Sequence, residues 1–210
     1  MTQHDPSLAI AELRANVSVP FERARAMPKS VYTSPDFAKA EEEHIFAQDW
    51  LCAGRADALT NPGDYLTMNI AGEPVIILRD REGTLRGMSN VCRHRMSTLL
   101  EGRGNVRSIV CPYHAWTYNL DGSLRGAPAM ARNEGFCKED VKLPAVRVED
   151  WQGWIMVTLN PEATPVAERL AGVDRLVGHL PMANYREVFR EDFRWDTNWK
   201  VLAENFMESY

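Results

Sequence analysis

Cys92-Arg93-His94 and Cys111-Pro112-Tyr113-His114 set two thiols and two imidazoles in matched pairs: C-x-H, sixteen residues, then C-x-x-H. A [2Fe–2S] cluster with two Cys on one iron and two His on the other needs this donor set, and it carries single electrons. A structural zinc site is the other candidate. Zinc sites usually group their ligands as C-x₂₋₄-C and H-x₃₋₅-H. Here each half holds one donor of each type, and the first half has a single residue between them. That spacing suits two loops that each give one ligand to each iron, so the pattern favours the mixed-ligand cluster over zinc.

Short strands must position these loops. Asp64 to Ile70 alternates apolar and polar residues and reads as a strand. Pro74–Arg79 and Thr84–Asn90 read as a hairpin across a polar turn, and Ser108 to Val110 leads into the second motif. Trp116–Asn119 and Ser123–Arg125 form a second hairpin around Leu120-Asp121-Gly122. Val146–Val148 and Trp154–Leu159 are late strands, separated by Asp150-Trp151-Gln152-Gly153. Helices flank this region. Residues 7–17 have helical spacing. Ser34-Pro35-Asp36 is a helix start whose helix should reach about Gln48, with Phe37, Ile45 and Phe46 inward and Glu41 to Glu43 solvated. Residues 165–180 are weakly helical and Tyr185–Trp195 extended. Asp196–Tyr210 reads as a helix capped by Thr197 or Asn198, with Trp199, Leu202, Phe206 and Tyr210 as its apolar stripe.

The chain has 210 residues, 45% hydrophobic, enough for one domain and part of a second. The net charge of −5 argues against a nucleic-acid partner. No run of 18 apolar residues is present, so no transmembrane helix is expected. Met1 to Asn16 mixes His4, Asp5, Glu12 and Arg14 with small apolar residues and is no signal peptide, which sets a cytoplasmic expectation. Cys52 reads as a small buried residue and Cys137 as part of a polar connector, with no disulfide between them. Trp151, Trp154, Trp195 and Trp199 read as core packing rather than a cage for a cation. Arg93, Arg95, Arg103 and Arg107 crowd the ligand loops, either as a solvated rim or as a docking patch for an acidic electron donor.

The residues around the ligands resemble the Rieske domain of the non-haem iron, ring-hydroxylating oxygenases. The matching text is Asn90-Val91-Cys92-Arg93-His94-Arg95, Gly102, Gly104 and Cys111-Pro112-Tyr113-His114-Ala115-Trp116. It continues through Tyr118, Leu120-Asp121-Gly122 and Gly126-Ala127-Pro128. The resemblance implies that Cys92 and Cys111 hold an inner iron and His94 and His114 an outer, solvent-facing one, with Trp116 beside the cluster. Respiratory Rieske proteins place a disulfide across the two loops and a Ser where Trp116 stands. Here Ser97 and Tyr113 occupy the disulfide positions. Fewer hydrogen bonds to the cluster sulfurs imply a low potential, suited to reduction by a ferredoxin or flavin reductase.

Asn198-Trp199-Lys200-Val201-Leu202-Ala203-Glu204-Asn205-Phe206-Met207-Glu208 resembles the opening of the catalytic domain in the same family. The resemblance makes Glu208 the acid that links a cluster His of one subunit to an iron-ligating His of the next. Asn205, three residues earlier, should share its helix face. A Glu rather than Asp at this place resembles the branch that acts on quaternary amines such as choline, betaine and carnitine. The mononuclear Fe(II), held by two His and a carboxylate, would take its first His directly after Tyr210.

The expected fold is α+β: an N-terminal helical segment (1–39), a small antiparallel β Rieske domain (40–160) and the start of a mixed α/β catalytic domain (161–210), truncated before the iron ligands. The implied function is an oxygenase α subunit. Electrons from NAD(P)H would pass through a separate reductase or ferredoxin to the cluster and then to iron that activates O₂. A small-molecule substrate would be hydroxylated on an aromatic ring, or an amine demethylated or cleaved. The cross-subunit route implies a homotrimer. The alternative is a Rieske ferredoxin without oxygenase activity, which would give residues 165–210 no purpose.

Overall fold

The computed structural model describes residues 6–208, apart from the side chain of Ala131. Helices α1 (Pro6–Val17), α2 (Ser30–Thr33) and α3 (Pro35–Glu41) come first. Strands follow: β1 (Leu51–Arg55), β2 (Asp64–Ile70), β3 (Glu73–Arg79), β4 (Leu85–Ser89), β5 (Arg103–Asn105), β6 (Ile109–Val110), β7 (Thr117–Tyr118), β8 (Leu124–Gly126), β9 (Ala145–Trp151) and β10 (Trp154–Thr158). Then come α4 (Val166–Arg169), α5 (Ala171–Val177) and α6 (Trp199–Met207). Two compact units result: residues 46–188, and residues 1–45 together with 189–210. Residues 161–188 thus group with the strands, and the two ends of the chain share a unit.

Within the strand-bearing unit, the described strands form an antiparallel sheet in the order β1-β10-β9-β4-β3-β2-β5, and a smaller one in the order β6-β7-β8. β3 is the central element. Val75, Ile76, Ile77 and Leu78 are all fully buried. Successive strand side chains point to opposite faces. Ile76 and Leu78 therefore join a cluster with Cys92, Cys111, Trp116 and Tyr118, while Val75 and Ile77 join Leu66, Ile155 and Val157. Burying each such side chain contributes about 1.5–3 kcal/mol. The ligand loops thus rest on one face of the sheet's most buried strand. β4 approaches β9 so closely at Gly87 that a Cβ there would lie 2.5 Å from the Val146 carbonyl oxygen.

Asp80 holds the turn between β3 and β4. Its Oδ1 accepts from the N–H groups of Thr84 (2.7 Å) and Glu82 (3.1 Å), and its Oδ2 accepts from Arg86 Nε (2.7 Å). Burial raises the Asp80 pKa, but Arg86 and these two amides outweigh it and hold the carboxyl below the ordinary carboxylate range. A depressed folded pKa contributes stability above the unfolded value that is lost as pH falls through the folded one. Asp80→Asn should therefore cost about 1–3 kcal/mol at neutral pH. Urea unfolding should show that difference shrinking in acid, below the ordinary carboxylate range. A difference constant with pH would contradict the assignment.

Several expectations need correction. β1 and β5 carry no alternation, and pairing with β10 and β2 makes them strands. Cys52 is exposed rather than buried, beside a bulge between Cys52 and Gly54. Neither Cys52 nor Cys137 is in a disulfide. α3 ends at Glu41 and continues as a π-helical turn to Phe46. Ile45 in that turn is 42% exposed instead of inward. Glu41 is buried rather than solvated, because Lys200 is buried against it. Trp195 and Trp199 are 63% and 40% exposed, so neither is core. Residues 185–195 run without regular secondary structure. In the unit of the two chain ends, Ala9, Val31 and Phe37 form a small core. Asn198 caps α6 by accepting from Lys200 N–H. Leu202 is half-buried and Phe206 80% exposed, while Tyr210, the last member of the expected stripe, lies outside the described residues. Among the described residues no helix is long and apolar enough to cross a membrane.

Candidate metal centre

The two ligand loops are built alike. Cys92 N–H donates to Ser97 O (2.8 Å) and Cys111 N–H to Trp116 O (2.8 Å). Met96 N–H donates to Cys92 O (3.0 Å) and Ala115 N–H to Cys111 O (3.0 Å). Met96 and Ala115, each four residues after a Cys, turn through positive φ of 56° and 55°. That conformation costs a non-glycine residue roughly 1–2 kcal/mol. The same strained turn therefore closes both loops, although His follows Cys by two residues in one and three in the other. Asn90 pins the first loop: its amide donates to Leu100 O (2.8 Å) and its carbonyl accepts from Leu100 N–H (2.9 Å). Gly122, with φ +85°, makes the turn between β7 and β8 that seats Tyr118 beneath the loops.

This scaffold separates the donors by depth. Cys92 and Cys111 are 1% and 3% exposed. His94 is half-buried and His114 exposed. The two imidazoles lie 4.9 Å apart, edge to face. Trp116 is buried and stacks on His94 at 4.7 Å with 5° between the planes, and the Tyr113 ring lies 3.8 Å from His114. Burial, then the neighbouring His114 and Arg95, hold the His94 pKa down, which keeps the ring neutral and able to ligate. Burial pushes the Cys111 thiol up, but the backbone N–H groups of Tyr113 and His114, with the Cys92 and Ser97 side chains, outweigh it. The net shift is downward, toward the thiolate that metals bind.

Among the described residues, no three His, Cys, Asp or Glu side chains converge as one metal ion would need. A dinuclear cluster asks for only two protein donors per iron. Two buried sulfurs below two outward imidazoles fit that group.

Tyr118 was missed as a functional residue. Its hydroxyl lies 3.3 Å from Cys92 Sγ and accepts the Arg93 N–H at 3.0 Å. A thiolate bound to iron carries no proton, so with a cluster in place the phenol would be the donor of the Cys92 contact. Burial and Cys92 hold its pKa well above the ordinary value, so it stays a donor. Its place in the matching text at position 118 was the signal that could have found it. A hydrogen bond to a cluster thiolate favours the more negative, reduced state. A net bond of about 1 kcal/mol corresponds to about 40 mV for one electron. Tyr118→Phe should lower the midpoint potential by roughly that amount in a titration followed by electron paramagnetic resonance. An unchanged potential would remove Tyr118 from the cluster's environment.

Cys92, His94, Cys111, His114 and Trp116 thus come together, whereas Asn205 and Glu208 belong to the other unit. Asn205 is exposed on α6, and Glu208 is exposed as its C-cap (φ −84°, ψ 50°), past the last helical residue. The Glu208 N–H still donates to Glu204 O at 3.0 Å, so the helical hydrogen-bond path runs from Asn205 to this cap. Arg93, Arg95, Arg103 and Arg107 are all exposed around the ligand loops.

Comparison with known proteins agrees with this geometry. The Rieske [2Fe-2S] domain matches residues 49–148. The carnitine monooxygenase oxygenase subunit of Acinetobacter baumannii is 36% identical over 194 residues, covering 89% of this chain and 51% of that protein. The chloroplastic choline monooxygenase of Spinacia oleracea is 31% identical over 196 residues, covering 91% of this chain and 45% of that protein. The crystal structure of the quaternary ammonium Rieske monooxygenase CntA in complex with L-carnitine superposes with a TM-score of 0.80 at 37% identity, covering 86% of this chain and 52% of that one. The chain spans about half the length of the curated relatives it matches. With its paired Cys and His loops, its curled antiparallel sheet and these likenesses along nearly its whole length, the chain belongs to the Rieske oxygenase α subunits.

Proposed function

We propose that this chain is the electron-receiving portion of an oxygenase that acts on a quaternary amine. The carrying observation is the stacked arrangement of two buried thiols beneath two outward imidazoles. Cys92 and Cys111 would hold the inner iron and His94 and His114 the outer one. The cluster supplies one-electron chemistry when bound. Trp116 stacks on the His94 ring, the Tyr118 hydroxyl sits 3.3 Å from Cys92 Sγ where it would donate to a bound thiolate, and the same turn at Met96 and Ala115 closes both loops. The exposed edge of His114 offers electrons a way in and out.

In this reading residues 1–39 are a helical segment, 40–160 the cluster domain and 161–210 the opening of the catalytic domain. Glu208 holds a hydrogen bond between a cluster His and an imidazole on the mononuclear iron of a neighbouring subunit, and Asn205 steadies that route. The complete protein would be a cytoplasmic homotrimer that binds Fe(II), O₂ and a small substrate. It would take electrons from NAD(P)H through a separate reductase or ferredoxin. The names of the relatives support an amine substrate, and so does Glu at position 208. A ferredoxin-type carrier is the weaker reading, because residues 165–210 would serve no purpose in it.

The test is O₂ uptake by the complete α subunit with a reductase, NADH and carnitine, choline or glycine betaine. Amine-dependent uptake with oxidised product is expected. Uptake on an aromatic hydrocarbon alone would overturn the amine assignment. A cluster that reduces while no substrate supports uptake would favour the carrier.

A further inference from the structure

α6 is gripped by charge. Lys200 is 7% exposed, while Phe206 and Met207 on the same helix are 80% and 83% exposed. The Lys200 ammonium donates to both carboxylate oxygens of Glu41 at 2.8 Å. It lies 5.8, 5.4 and 5.3 Å from the ring centres of Tyr32, Phe37 and Trp199. Three further bonds join the same partners. Trp199 Nε1 donates to Glu41 (3.3 Å), Asn198 Nδ2 donates to Tyr32 O (3.0 Å), and the Tyr32 hydroxyl donates to Glu204 (2.8 Å). α2 and α3 therefore hold the N-cap, Asn198, and positions 199, 200 and 204 of one short helix.

The held positions define a face. Lys200 and Glu204 lie roughly 40° apart around the helix axis, and Asn205 lies about 100° beyond Glu204. Asn205 and Glu208 are left exposed. A buried ion pair contributes little stability beyond what apolar residues of the same volume would, because both charges must leave water. What it supplies is selectivity, since only one rotation and one axial setting of α6 bring the ammonium onto both carboxylate oxygens. Sliding or turning the helix would strand two charges in an apolar cage.

We propose that the Glu41–Lys200 pair is a positioning device, setting the rotation and register of α6 so that Asn205 and Glu208 are presented in a single orientation. This inference rests on the bridging role given to Glu208 above. Glu41, Lys200 and Tyr32 touch no reacting group; they act through the helix.

The test uses the complete α subunit, loaded with both metals, in the double variant Glu41→Leu/Lys200→Met, which leaves neither charge unpaired. The melting temperature, the visible spectrum and the rate of cluster reduction by dithionite should stay close to wild type. Reoxidation of the reduced cluster by O₂ in the presence of substrate should slow by on the order of a hundredfold, the penalty expected for a misplacement near 1 Å. A merely structural pair would move the melting temperature and leave that rate alone. An unchanged reoxidation rate overturns the proposal. Glu208→Gln is measured alongside: if it reoxidises normally, the bridging role fails, and with it the purpose given to the pair. Should the double variant not fold, Tyr32→Phe removes only the hydroxyl that holds Glu204. It should slow reoxidation several-fold at an unchanged melting temperature, and a wild-type rate there is equally contrary.

Discussion

In a complete α subunit, Glu208→Gln should cut substrate turnover by at least about a hundredfold while both metal centres remain loaded. The substitution keeps the size of the side chain and removes its charge and its capacity to take a proton. A carboxylate set between two imidazoles accepts a hydrogen bond from each and couples their protonation. An amide keeps one accepting oxygen and presents an NH₂ donor where the second carboxylate oxygen stood. Glu208 caps the end of α6, where its N–H donates to Glu204 O at 3.0 Å, and its side chain is exposed. The substitution therefore disturbs no buried contact, and lost turnover would report on electron passage rather than folding. Product formation is the readout, with iron content and visible spectrum as controls. Near-normal turnover would take the bridging role away from Glu208.

The second large effect lies at the cluster. Cys111→Ala should bring iron and sulfide down to background, and Cys52→Ala and Cys137→Ala should leave both unchanged. Cys111 is buried beside Cys92 and Tyr118, whereas Cys52 and Cys137 are exposed. The cluster ties two loops that have no disulfide between them, so its binding free energy is also folding free energy. Each kcal/mol lost shifts the melting temperature of a chain this size by about 2–4 °C, so Cys111→Ala should melt lower by on the order of 10 °C. Calorimetry with metal analysis checks both parts. Retention of two irons per chain in Cys111→Ala would require another ligand.

Much of this was legible from residue order, and what was not has identifiable causes. β2 and β3 followed from alternation and β-branched content, and the Gln152-Gly153 turn between β9 and β10 from its Gly. β5, with the sequence Arg-Gly-Asn, has no strand propensity and exists because β2 offers it a free edge. Cys52 looked buried by composition, but its burial depended on a register and a bulge set by β10. Glu41 sat in an acidic run that reads as solvated. Its partner Lys200 is 159 residues away, and no local pattern announces a pair at that distance. Tyr118 lay in the family-like text, but its contact with a sulfur 26 residues away is tertiary and was not readable from that text. The four ligands and Trp116 were legible because a metal cluster dictates residue types at fixed spacing. The geometry that tunes and supports them depends on tertiary contacts that spacing does not encode.

The most direct test of the iron–sulfur reading is metal and sulfide analysis of the purified chain, with electron paramagnetic resonance of the dithionite-reduced form. Two irons and two sulfides per chain, a visible chromophore and a midpoint potential below zero are expected. One zinc per chain with no colour and no resonance would contradict the account at its centre.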